Sequence, residues 1–267
     1  MIDLHCHVLA GIDDGPSTVE GSLELARAAA AEGTRTLVAT PHVSWRYSND
    51  HEAIARLVDE LNGRLAAANI DVSVLAGAEL AMTRLVDLED SQLSQFGLGG
   101  GSWLLVEPPF TESDPGIEDL IVDLLERGHR VVLAHPERSP AFRRIPRVLQ
   151  ALVSQGVITS ITAGALVGRF GNDVRRFALE LFADGIVHNV ASDAHDAQRR
   201  PPTLASDLAR AGLSDLCEWL CVSVPRAILA DEESIPPRPR VELPRSAPPP
   251  RWWRRGAVGL RRASRSR

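Results

Sequence analysis

Short apolar runs alternate with amphipathic stretches along most of the chain. The runs are Ile2–Leu4, Thr36–Ala39, Val72–Ala76, Trp103–Val106, Val131–Ala134, Val157–Ile161 and Ile186–Ala191. Their brevity and aliphatic character predict buried strands. Ser17 and Glu20 have the spacing of a capping box that opens a helix, and Gly33 ends it. Further helices are predicted from about Asp50 to Ala68, around Ile117–Arg127, up to Gln155 and around Asp173–Ala183, the last three stopped by Gly128, Gly156 and Gly185. Apolar runs separated by helices are the signature of βα units on a parallel sheet. A chain of 267 residues has room for one α/β barrel or two small domains.

The pattern stops near Ile235. Beyond it Pro237-Arg238-Pro239-Arg240 and the triple proline 248–250 cannot sustain a packed helix or sheet. The division expected is a body over 1–235 and a basic, disordered tail over 236–267. The tail holds ten Arg and one acidic residue, Glu242, a surplus of +9, so the overall charge of −6 leaves −15 on the body. An acidic body argues against a nucleic-acid partner. The tail, with Trp252 and Trp253 among its arginines, suits weak contact with an anionic membrane surface. No run reaches the length of a membrane span, and MIDLHCHV lacks the basic and apolar regions of a secretion signal. Three cysteines, Cys6, Cys217 and Cys221, point to a reducing cytoplasm rather than a disulfide framework.

The chemistry lies at the ends of the runs. The first ends in His5 and His7, the second in Pro41-His42, the third in Glu79 and the fourth in Glu107. The fifth ends in His135-Pro136-Glu137-Arg138 and the seventh in Asp193 and His195. In a β/α barrel the carboxyl ends of the strands share one face, so ligands scattered along the sequence converge in space. His5 and His7 alternate along a strand and therefore point the same way, a chelating arrangement for a divalent metal. The acidic loop Gly11-Ile12-Asp13-Asp14-Gly15-Pro16 follows at once, with Asp14 as a further ligand and Asp13 as a turn-former. After the sixth run, Thr162-Ala163-Gly164 are small residues that leave room for a substrate.

These motifs together resemble the PHP (polymerase and histidinol phosphatase) domain. The GIDDGP loop, the HPER and SDAH motifs and the later Arg-Pro-Pro resemble, within it, the CpsB/YwqE-type bacterial tyrosine-protein phosphatases. The resemblance runs from Met1 to about Leu229. It implies a distorted (β/α)7 barrel with three clustered metals, manganese foremost, or iron or zinc. It implies a first metal on His5, His7, Glu79 and Asp193, a second on Glu79, Glu107 and His135, and a third on Asp14, His42 and His195. Glu79 would bridge. Arg138 and Arg200 would grip the phosphoryl oxygens through planar, bidentate donors. The implied partner is a phosphotyrosine protein, an autophosphorylating bacterial tyrosine kinase that controls capsule or exopolysaccharide synthesis.

Clustered divalent cations acidify water and neutralise phosphoryl charge, so no cysteine nucleophile is required. Cys6 is followed by His7 and Val8 rather than by a phosphate-cradling loop, and strand alternation turns it away from His5 and His7. Two other functions compete: a PHP phosphoesterase acting on a small molecule such as histidinol phosphate, and a non-catalytic regulatory module. The second would have shed ligands that this chain retains. Glu137 can be read as a partner of His135 or as an exposed residue. His51, His129 and His188 have no motif context and are read as structural or surface residues.

Overall fold

The computed structural model describes residues 1–112 and 116–241. Among the described residues nine strands are formed: β1 (Ile2–Cys6), β2 (Thr36–Ala39), β3 (His42–Val43), β4 (Ser73–Ala76), β5 (Glu79–Ala81), β6 (Trp103–Glu107), β7 (Arg130–Ala134), β8 (Ile158–Thr162) and β9 (Asn189–Ala191). All ladders between them are parallel, in a three-stranded sheet β1-β2-β4 and a six-stranded sheet β3-β5-β6-β7-β8-β9.

The nine strands make seven units. β3 continues β2 past Thr40-Pro41, where proline lacks the N–H a ladder needs. β5 continues β4 past Gly77-Ala78, and a Cβ on Gly77 would lie 2.9 Å from Val38 Cγ1. Each break lets one unit leave the small sheet and join the large one. The last unit returns to the first: Asp193 N–H donates to His5 O and His7 N–H to Ala194 O, each at 2.9 Å. Asp3 fastens the same seam, accepting from the Ser192 N–H at 3.0 Å and its hydroxyl at 2.5 Å. The units therefore run in chain order round a distorted barrel, as the seven apolar runs predict.

The strands read as continuous apolar runs because both of their faces are covered; every residue of β8 is buried. The connecting helices include Val19–Ala31, His51–Ala67, Ile117–Glu126, Pro146–Ser154 and Asn172–Ala183. The first helix starts one residue later than the sequence pattern indicates. Thr18, not Ser17, is its cap, with the hydroxyl accepting from Gly21 N–H at 3.2 Å. The chain turns at Gly33 with φ of 93°, a conformation that costs glycine little.

Of the segment read as a tail, residues 236–241 are described and lie against the body. Trp219 Nε1 donates to Pro236 O and an Arg238 guanidinium N–H to Phe182 O, each at 2.9 Å. The remainder, with Trp252 and Trp253, lies outside the described residues. Among the described residues no helix is long and apolar enough to cross a membrane.

Candidate metal centre

All nine predicted ligands meet at the carboxyl ends of the strands, with Glu79 at the middle. His135 Nε2 lies 2.8 Å from Glu79 Oε1, while His42 Nδ1, His7 Nε2 and His5 Nε2 lie 3.0, 3.2 and 3.3 Å from Oε2. Glu107 reaches His135 and His42 at 3.8 and 3.9 Å. Asp193 Oδ1 sits 3.5 Å from both His5 and His7. Asp14 Oδ1 lies 3.4 Å from His42 and 3.3 Å from His195. The donor atoms form four overlapping groups, each spanning no more than 4.8 Å. His7, Asp14, His42 and His195 make one of them; Glu79 belongs to two others, once with His5 and His135, once with His42 and Glu107.

Backbone strain marks the same place. His135 and Asp193 have φ of 31° and 51°, two of the four non-glycine residues with positive φ among those described. Such conformations cost of the order of 1–3 kcal/mol and persist where the surroundings enforce them.

The electrostatics are those of a cation site. Burial alone would raise the pKa of Glu79, but His5, His135 and His42 hold it well below the carboxylate range. Glu107, half-buried and close to the charge on Glu79, is pushed up to about 8, chiefly by desolvation. For His7, burial is outweighed by Asp13 and Glu79, which hold it at about 9; Asp14 and Glu79 do the same for His42, at about 11. Burial, with Arg138 beside it, takes His135 down to about 4. The surroundings thus favour protons on Glu107, His7 and His42, and a cation held here would take their place. Glu79 Oε2 and His195 Nε2 are buried and make no well-formed hydrogen bond among the described residues, the condition expected of atoms shaped to ligate. Imidazole and carboxylate donors fit manganese, iron or zinc better than calcium or magnesium.

Arg138 and Arg200 belong to the same cluster. Each donates to Asp193 Oδ2 at 2.5 Å, on the opposite oxygen from the histidines. Arg200 Nε is buried without a hydrogen-bond partner among the described residues. Asp13 does more than form a turn. One oxygen accepts from Gly15 N–H at 2.9 Å, while the other lies 2.7 Å from His7 Nδ1 and accepts from His42 N–H at 3.1 Å. A carboxylate on the far nitrogen fixes ring orientation and raises basicity. Asn49 supports His42 in turn, donating to its carbonyl at 2.8 Å. Glu137 is buried rather than exposed, and its partner is not the His135 ring: it accepts from Thr162 N–H at 2.9 Å, binding the end of β7 to the end of β8. His129 pairs with Asp90 at 2.8 Å at the surface, and His188 accepts from Thr159 N–H at 3.2 Å; neither joins the cluster.

Cys6 is fully buried with its Sγ 3.9 Å from Ala194 O. Burial, reinforced by Asp3 and Asp193, pushes its thiol well up, so little thiolate exists at neutral pH. Cys6→Ser is therefore expected to keep most of its turnover, and iodoacetamide to do little to the wild-type protein. A folded, metal-loaded Cys6→Ser protein without activity would put the thiol into the chemistry.

Fold and cluster together define an α/β barrel with a histidine–carboxylate cluster, able to hold metal, at its carboxyl face. The chain belongs to the CpsB/CapC family of capsular polysaccharide synthesis, whose pattern matches residues 1–218. The tyrosine-protein phosphatase YwqE of Bacillus subtilis is 38% identical over 201 residues, 75% of this chain and 79% of the relative. The tyrosine-protein phosphatase CpsB of Streptococcus pneumoniae is 28% identical over 243 residues, 87% and 99% of the two chains. The crystal structures of YwqE and CpsB, described as unique metal-dependent tyrosine phosphatases, include one that superposes with a TM-score of 0.78 at 31% identity. It covers 91% of this chain and 100% of the other.

Proposed function

We propose that this protein is a metal-dependent phosphatase that removes phosphate from tyrosine on a protein, and that its partner is a bacterial tyrosine kinase of capsule or exopolysaccharide synthesis in the cytoplasm. The convergence of nine ligand side chains round Glu79 carries the proposal. Kinship with named tyrosine-protein phosphatases supplies the substrate class.

His5, His7, Glu79 and Asp193 would hold one cation, Glu79, Glu107 and His135 a second, and Asp14, His42 and His195 a third. Manganese is the favoured ion, with iron or zinc as alternatives. Divalent cations held by these residues would supply water acidified for attack and charge to offset that of the phosphoryl group. The residues do the rest. Asp13 keeps the His7 ring turned toward the cluster through its 2.7 Å contact. Arg138 and Arg200 present planar donors to the phosphoryl oxygens while Asp193 anchors both. A tyrosine oxygen, with a pKa near ~10, departs without a dedicated general acid more readily than a serine alkoxide.

One experiment decides between substrates. Mn²⁺-loaded protein receives phosphotyrosine peptide, phosphoserine peptide and histidinol phosphate in parallel, with and without chelator. The expected result is preference for phosphotyrosine, loss of activity on chelation and recovery with Mn²⁺. Because Glu107, at about 8, and His7, at about 9, must release protons, activity at limiting Mn²⁺ should rise with pH from 6 to 8. A far higher kcat/KM for histidinol phosphate would replace the tyrosine assignment with the small-molecule one.

A further inference from the structure

Phe110 follows β6 and Phe170 follows β8, yet the two rings meet at one guanidinium. Arg138 Cζ lies 4.9 Å from the Phe110 centroid and 4.6 Å from that of Phe170. Phe110 also stacks on His135, with centroids 5.5 Å apart and planes inclined by 20°. Phe110 is nonetheless 48% exposed. Trp45 and Val86, 68% and 67% exposed, follow β3 and β5. Three of the four exposed large apolar side chains among the described residues thus follow the carboxyl ends of neighbouring strands, and Phe110 is the one that reaches the cluster. Apolar surface gathered at the edge of a polar site marks a place where a ligand is covered.

A cavity of about 80 Å³ opens beside Phe170, lined also by Thr162, Gly164, Asp193, Arg200 and Pro201. It therefore touches both the carboxylate that anchors the arginines and an aromatic wall. Gly164 keeps it open, since a Cβ there would lie 3.4 Å from the Phe170 ring and 2.9 Å from the Arg169 guanidinium.

We propose that Phe110 and Phe170 determine specificity for the organic half of the substrate, by holding an aromatic ring while Arg138 and Arg200 hold its phosphoryl group. The inference rests on the phosphatase function proposed above. Arg138 links the two halves: a guanidinium donates along its edge and stacks through its face, so one side chain can meet the anion and lie against the rings. Preference for aryl phosphates then has two separable sources. One is the acidity of the leaving group, which acts on the chemical step. The other is ring contact, which acts on binding.

Phosphonates carry no leaving group and isolate the second source. Full-length, Mn²⁺-loaded protein is titrated calorimetrically with benzylphosphonate and with methylphosphonate. The wild-type protein is expected to bind benzylphosphonate about tenfold more tightly, the scale of one or two aromatic contacts. Phe110→Ala and Phe170→Leu should each reduce the ratio to about threefold or less, with methylphosphonate affinity unchanged, and Phe110→Tyr should preserve it. Phe110 is exposed, so its replacement leaves the core intact even if Phe170→Leu disturbs folding. Equal affinities in the wild type overturn the inference. So do variants that weaken both phosphonates alike, since the rings would then serve only to position Arg138. A wild-type protein that binds neither phosphonate and hydrolyses no phosphate ester removes the phosphatase function itself.

Discussion

Glu79→Gln is expected to lower turnover of an aryl phosphate by about 10³-fold or more and to reduce the metal bound per chain by more than one ion. Glu79 is fully buried and its two oxygens lie within 3.3 Å of His5, His7, His42 and His135. It touches four of the other eight predicted ligands and takes part in two of the four donor groups. Glutamine keeps its volume, so no cavity opens to confuse the result. What it removes is the negative charge and one of two acceptor oxygens, at the point where the groups overlap. Glu107→Gln supplies the comparison. Its oxygens stand 3.8 and 3.9 Å from their histidine neighbours, and it should empty one position and no more. The measurements are metal content by mass spectrometry and kcat at saturating Mn²⁺. Full metal content with full activity in Glu79→Gln would remove Glu79 from the centre of the site.

The convergence of the nine side chains is legible in the sequence because a parallel barrel converts sequence position into spatial position. Once Ile2–Leu4, Trp103–Val106 and Val131–Ala134 are strands, the residues after them share a face whatever the intervening helices do. Supporting residues follow no such rule. Asp13 and Asp14 are adjacent and chemically alike, and only the path of the loop turns one toward His7 Nδ1 and the other toward His42 and His195. Glu137 has no periodicity to reveal that it is buried or that it grips Thr162 N–H. β3 and β5 span two and three residues, too few for any hydrophobic pattern. Ser17 and Thr18 are both competent helix caps, and the choice of Thr18 is a matter of local backbone geometry. Gly168-Arg169-Phe170-Gly171 resembles a loop of the family, but the meeting of Phe170 with Phe110 has no sequence signal, for a different reason. An aromatic residue in a loop carries no signal of its neighbour, and their common contact, Arg138, had been assigned to the phosphate alone.

The same arginine shapes the second large effect. Arg138→Ala and Arg200→Ala should each lower kcat by about 10²-fold or more. The two guanidinium groups converge at 2.5 Å on Asp193 Oδ2, while Oδ1 faces His5 and His7 at 3.5 Å. One carboxylate thus stands between the two arginines and the histidines of the cluster and fixes their mutual distance. Burial would raise Asp193, yet His5, Arg200 and Arg138 together hold it below the carboxylate range. With one arginine gone the other still keeps it ionised, so metal affinity should fall modestly, about tenfold, the scale for loss of a group that orients a ligand. The double variant should then lose more metal affinity than the two single losses imply, because the groups share one partner. Lysine should rescue poorly at either position, since a point charge can meet Asp193 or a phosphoryl oxygen but lacks the planar fork that reaches both. Parallel titrations of metal content and kcat separate the two roles. If activity returns completely once excess Mn²⁺ refills Arg200→Ala, that arginine acts only by holding Asp193, and its contact with the phosphoryl group is refuted. If activity stays low at full occupancy, the loss lies in transition-state stabilisation.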